Sequence, residues 1–186
     1  EYKSMLVGKR YYRVKNDVLD RKRTRMDEDG RLVEEKGLAD NRIPHGFVRK
    51  LVDQKNGYLL ARPFMVDTAN EKYQKQLNPY FDQDFRRQFK NLGKEAVNCG
   101  KAWLQAYITE EGDLAFKRIP SEECKPIWKD AEHTELAAMI RSYNEVRYQA
   151  KIKKTIRCVE FWSDEGLHYF EEEAGRLVQK DFQGHA

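Results

Sequence analysis

The chain has 186 residues, with 35 Lys and Arg against 31 Asp and Glu and a formal net charge of +4. Charged residues make up 35% of it and apolar residues 40%, yet the 12% that is aromatic falls in patterned segments, which excludes a disordered chain. No run approaches the roughly 18 consecutive apolar residues of a membrane-spanning helix, and Glu1–Met5 has no apolar signal core. The length predicts one domain able to bury roughly 70% of its unfolded surface. Cys99, Cys124 and Cys158 are widely spaced without a CxxC, which predicts reduced thiols in a soluble, intracellular protein. The abrupt ends at Glu1 and Ala186 suggest a piece of a longer chain.

In chain order, Lys9-Arg10-Tyr11-Tyr12-Arg13-Val14-Lys15 comes first, and its interleaved cations and aromatics read as an amphipathic edge strand or a nucleic-acid contact. Residues 1–55 hold 15 Lys and Arg against 10 Asp and Glu, a local surplus centred on Arg21, Lys22, Arg23 and Arg25. Such a run can steer toward nucleic acid, but Asp27-Glu28-Asp29 partly cancels it, and a solvated strand face is the plainer reading. Asp27–Gly30 predicts a hairpin turn. Asp40 and Asn41 can cap a helix with Pro44 in its first turn, a buried stripe of Phe47, Val48, Leu51 and Val52, and a stop at Gly57. A short helix is expected over 70–77, ending before Pro79.

A longer helix should run from about Asp82 to Gly100. It buries Phe85, Phe89, Leu92, Ala96 and Cys99 and turns Arg86, Arg87, Lys90 and Lys94 outward. Turns at Glu110–Asp113 and Ser163–Gly166 separate apolar runs and predict antiparallel hairpins over 103–119 and 156–170. Residues 135–146 read equally well as helix, by propensity, or as strand, by alternation. The fold class is α+β, with short helices in the first half packed with antiparallel hairpins and a C-terminal β-meander.

Catalytic signatures are missing: no GxxxxGK[ST], GxGxxG, GxSxG or HExxH occurs. His45, His133, His168 and His185 do not pair at metal-ligand spacing, so neither a metal nor a cofactor is expected. Cys99 and Cys158 read as small core residues, and a Cys-dependent enzyme is the least favoured reading. The acidic pairs and the Glu171–Glu173 run fall where carboxylates sit as solvated turn, helix-start or strand-end residues.

Residues 38–63, LADNRIPHGFVRKLVDQKNGYLLARP, carry more information than composition. They resemble the signature segment of tailed-bacteriophage portal proteins of the SPP1 type, through Asn41, Arg42, Val52, Asp53, Gly57, Tyr58, Leu59, Arg62 and Pro63. Ala61 stands where that family commonly has Gly. The resemblance continues in order through Cys99-Gly100 with Ala102-Trp103, Ile119-Pro120, and Ile140-Arg141 with Tyr143, covering roughly Tyr2 to Phe170. It favours a strand over 136–144.

The resemblance implies a structural part without enzymatic activity. Such subunits form a ring, usually of twelve, at one capsid vertex, assembled in the host cytoplasm and carried in the virion. Double-stranded DNA passes through the ring, and terminase, capsid or scaffold, and head-completion proteins bind it. It further implies that residues 1–186 form a single wing-like domain lacking the stem, tunnel loop and crown. The alternative is a free-standing nucleic-acid-binding module using Lys9, Arg10, Arg13, Arg21, Lys22, Arg23 and Arg25.

Overall fold

The computed structural model describes residues 1–35, 37, 39, 41–62, 65–149 and 152–184, with Gln149 described for its backbone only. Its contacts divide into two compact units, Glu1–Arg118 and Ile119–Ala186.

The first unit is built on helices. α1 runs Tyr2–Tyr12, α2 Phe47–Leu60, α3 Glu71–Leu77 and α4 Gln83–Cys99. Two short hairpins accompany them, β1 (Thr24–Met26) with β2 (Leu32–Glu34), and β3 (Trp103–Ile108) with β4 (Leu114–Ile119). α4 has the ends its sequence announces. The Asp82 side chain accepts from the Phe85 N–H at 2.8 Å, and Gly100 takes φ +78° to close the last turn. α3 likewise starts on the Asn70 side chain, which accepts from the N–H groups of Lys72 and Tyr73.

α1 and α2 correct the sequence reading. Residues 9–15 are not an edge strand. Lys9–Tyr12 complete α1, and the Val14 and Lys15 N–H groups cap its last carbonyls at Tyr11 and Arg10. α2 begins after Gly46 rather than at Asn41, because 41–46 serve as a strap: the Asn16 amide donates to the His45 carbonyl at 3.0 Å. It also passes through Gly57, because its packed face continues to Leu60. The Asp40 part of the expected cap lies outside the described residues.

α1, α2 and α4 pack together at glycines. A Cβ on Gly8 would overlap the Asn98 carbonyl oxygen on α4, and one on Gly93 would overlap the Asn56 side chain on α2. The packed face of α2 is therefore Val52, Asn56 and Leu60, with Val52 and Asn56 buried. Phe47 and Leu51, expected in a buried stripe, are exposed on the other side with Tyr58. Phe85 anchors the core of α4, edge-on to Phe81 and Phe116 with ring centroids 5.1 and 4.8 Å away.

The second unit is a five-stranded antiparallel meander: β5 (Cys124–Trp128), β6 (Leu136–Gln149), β7 (Ile152–Trp162), β8 (Gly166–Glu173) and β9 (Arg176–Gly184). Residues 136–149 are thus a strand. Alternation puts Met139, Arg141 and Tyr143 opposite Trp162, Glu160 and Cys158 of β7 on one face, leaving Ile140 opposite Phe161 on the other. Buried Cys124, Met139, Cys158 and Val159 form this unit's core.

The accessible surface is 14673 Å². Large apolar side chains left in solvent include Phe47, Leu51 and Tyr58 in the first unit and Tyr148, Ile152 and Phe182 in the second.

Candidate functional site

The signature residues gather around α2, and Asp53 is the polar centre. Its carboxylate accepts from the Tyr12 hydroxyl of α1 at 2.9 Å and pairs with Lys94 of α4 at 3.0 Å, with Arg49 one turn away at 3.8 Å. The Lys94 ammonium and then the Tyr12 hydroxyl hold the Asp53 carboxyl below its ordinary value, and Asp53 in turn raises Lys94. One carboxylate therefore ties three helices. Lys94, expected to face outward, instead turns in to meet it.

Arg42 does the same for the preceding loop. Its guanidinium donates to the carbonyls of Leu19 and Arg21 at 2.9 and 3.1 Å. Val52 is buried, while Tyr58, 91% exposed, and Leu59 face solvent. Gly57 has open space around it, so no close approach requires the missing side chain. Arg62 is exposed and Pro63 lies outside the described residues.

The basic residues separate into two groups. Lys9 pairs with buried Glu95 at 2.6 Å, and Arg10 binds Asp17, so both are structural; Arg13 is exposed. Arg21, Lys22, Arg23 and Arg25 line a groove of about 640 Å³ together with Asn41 and Arg42. That groove joins the basic run to the signature segment. Its charge is partly neutralised, because Lys22 meets Glu34 at 3.7 Å and Arg25 meets Glu35 at 2.9 Å. A second basic groove, of about 620 Å³, lies along α2 and α4 with Arg62, Arg86, Arg87, Lys90 and Lys94 on its walls.

Two polar clusters escaped the sequence reading. Glu95 sits within the apolar stripe expected for α4 and is held by Lys9 and by Arg118 at 2.5 Å. A carboxylate inside that stripe was the available signal. In the second unit, Arg141 is clamped between Glu123 at 2.9 Å and Glu160 at 3.2 Å, and the Tyr143 hydroxyl also donates to Glu160 at 2.9 Å. Burial first, then Glu160, raises the Tyr143 phenol. Strand register assembles this cluster from residues far apart in sequence, so no local pattern could announce it.

His45 is exposed, His133 stacks on Trp128 at 5.3 Å, His168 packs against Phe182 at 4.5 Å, and His185 lies outside the described residues. Burial pushes the Cys124 thiol up to about 12 and also raises Cys158, which disfavours a thiolate at either. Both residues are buried, and Cys99 is half-buried on α4.

These features describe a scaffold part: carboxylates that tie elements together and wide exposed surfaces. The chain belongs to the phage portal protein family, SPP1 Gp6-like, whose pattern it matches over residues 1–186. It is 35% identical to a portal protein of Clostridium phage phiCD119, a match covering 88% of this chain and 38% of that protein. It is 26% identical to the portal protein of Bacillus phage SPP1, covering 96% of this chain and 35% of that protein. The chain therefore spans between a third and two fifths of the length of these relatives. Among the described residues no helix is long and apolar enough to cross a membrane.

Proposed function

We propose that this chain is the wing-like outer part of a portal subunit. Full-length copies close into a ring, usually of twelve, at one capsid vertex, and double-stranded DNA is packaged and ejected through it. Terminase, capsid or scaffold, and head-completion proteins are the partners of that ring, and the stretch described here carries no catalysis. On this reading the stem, tunnel loop and crown lie outside residues 1–186. The family match across residues 1–186 carries this reading. The exposed apolar side chains Phe47, Leu51 and Tyr58 support it, because such a stripe on a signature helix needs a protein neighbour. Electron microscopy of the full-length gene product should show closed rings. A product that stays monomeric and ringless under all conditions overturns the proposal.

The groove of Arg21, Lys22, Arg23, Arg25 and Arg42 favours a second reading, direct nucleic-acid binding by this stretch. That reading expects duplex DNA to be shifted at low ionic strength, with affinity falling as salt rises. A chain that shifts no DNA at low salt removes it.

A further inference from the structure

The sheet of the second unit is electrically polarised along its strands. β5 pairs with β6 only up to Arg141, and β8 pairs with β7 only from Cys158 onward. Among the described residues the rungs from Asn144–Arg157 to Gln149–Ile152 therefore have no third strand in register with them. At about 3.3 Å per residue they project as a two-stranded ribbon about 17 Å long. A ribbon of two strands is marginal in water and gains stability from a partner.

This ribbon is basic and partly apolar. Its Arg147 is taken by Glu145 and Glu171, and its Arg157 by Glu172. Lys153 and Lys154 are exposed and make no ion pair among the described residues. Tyr148 lies directly across from Lys153 on one face, and Ile152 shares the other face with Lys154. Tyr148 is 71% and Ile152 73% exposed. Val146, 45% exposed, lies on the Tyr148 face, so each face offers apolar surface beside one lysine that makes no ion pair among the described residues.

The opposite end of the same sheet is complementary. The β5–β6 loop and the β7–β8 turn lie there and carry Glu132, Asp164 and Glu165, which are exposed and make no ion pair among the described residues. Trp128 pairs with Leu136, and Trp162 pairs with Met139 and Leu167, so the β5–β6 loop and the β7–β8 turn share one end of the sheet. The same end of the sheet carries an apolar floor, the Trp128–His133 stack and Leu136, 42% exposed. An apolar centre with a charged rim is the usual anatomy of a protein interface.

We propose that the β6–β7 ribbon of one subunit docks on the acidic end of the sheet of a second copy. Lys153 and Lys154 meet Glu132, Asp164 and Glu165, and Tyr148 and Ile152 cover the Trp128–Leu136 floor. The contact joins unlike ends, so it is heterologous and propagates around a ring; it rests on the ring reading above. DNA fits the ribbon less well. Phosphates do not cover Tyr148 and Ile152, and Arg147 and Arg157 of the ribbon are already paired with carboxylates.

The test uses the full-length protein and counts subunits by mass photometry over a concentration and salt series. Absence of rings in the wild type defeats the ring reading itself, before the ribbon is tested. Given wild-type rings, Lys153→Glu with Lys154→Glu should raise the protein concentration needed for assembly about tenfold. Adding Asp164→Lys and Glu165→Lys should restore it, and the far-UV spectrum of each variant checks folding. Rings that assemble as the wild type with either pair reversed, or a double reversal without rescue, overturn the proposal. So does the outcome in which rings persist while DNA retention or capsid incorporation falls, which would assign the ribbon to DNA or to the capsid.

Discussion

The Asp53 cluster can be tested by a double-mutant cycle between Asp53→Asn and Tyr12→Phe. Asp53 and Lys94 are about 38% and 37% exposed, so their ion pair is worth only about 0.5 kcal/mol after solvent screening. The Tyr12 hydroxyl adds a hydrogen bond to a charged acceptor at 2.9 Å, discounted for the same exposure to about 1 kcal/mol. The cycle should therefore report a coupling of about 1 kcal/mol at pH 7, and Asp53→Asn alone should cost about 1–2 kcal/mol. Among the described residues every α-helix lies in the first unit, so urea titration followed at 222 nm reads that unit.

The pH dependence has a definite sign. The folded carboxyl is held below its unfolded value, so its contribution is complete above about pH 4 and is lost as pH falls through the folded value. Lys94 is raised, so its side of the same pair persists below about pH 10 and is lost as pH rises through its folded value. A coupling below about 0.3 kcal/mol at pH 7, or one that does not shrink on acidification below pH 4, would refute the assignment of Asp53 as the tie between α1, α2 and α4.

Two glycine substitutions should move stability in opposite directions. Gly8→Ala forces α1 off the Asn98 carbonyl and should lower stability by about 1–2 kcal/mol, whereas Gly57→Ala, in open space within α2, should raise it by about 0.5–1 kcal/mol in the same urea assay. Alkylation of the native chain at pH 8, read by intact mass, should reach Cys99 but leave Cys124 and Cys158 unmodified until denaturant is added. The reason is that burial raises both of those thiols. Rapid native labelling of either would reverse that conclusion.

Local rules carried the elements that end on their own residues. α4 starts at Asp82 and stops at Gly100 because a side-chain cap and a positive-φ glycine act within one turn, and the hairpin at Glu110–Asp113 closes on the same kind of local chemistry. α2 escaped because its limits are tertiary. Asn16 holds the 41–46 segment outside the helix and Arg42 binds the Leu19 and Arg21 carbonyls, while packing against α4 carries the helix past Gly57. The basic-aromatic run 9–15 misled because the spacing of Tyr11, Tyr12 and Val14 does not distinguish helix from strand over so few residues. What decides it is the contact of α1 with α4, a long-range pairing with no local signature. The strand over 136–149 was equally open by residues alone, and the portal resemblance, not propensity, pointed to it. β5 and β9 went unread: one is five residues long, and the other is exposed throughout, so neither shows a strong apolar period.

The charge distribution takes a different form once the fold is known. Residues 1–118 hold 25 Lys and Arg against 18 Asp and Glu, and residues 119–186 hold 10 against 13, so a modest +4 conceals units of +7 and −3. Within the acidic unit Lys153 and Lys154, which make no ion pair among the described residues, sit on the β6–β7 ribbon, and Glu132, Asp164 and Glu165, which make none either, lie at the other end of the sheet. Exposed pairs of this kind add little energy inside one molecule, and uncovered apolar side chains beside them add none. Both become useful only when another surface removes them from water. They therefore call for a covering surface. Self-association through unlike ends provides it through the one partner always present at matching concentration, a further copy of the same chain.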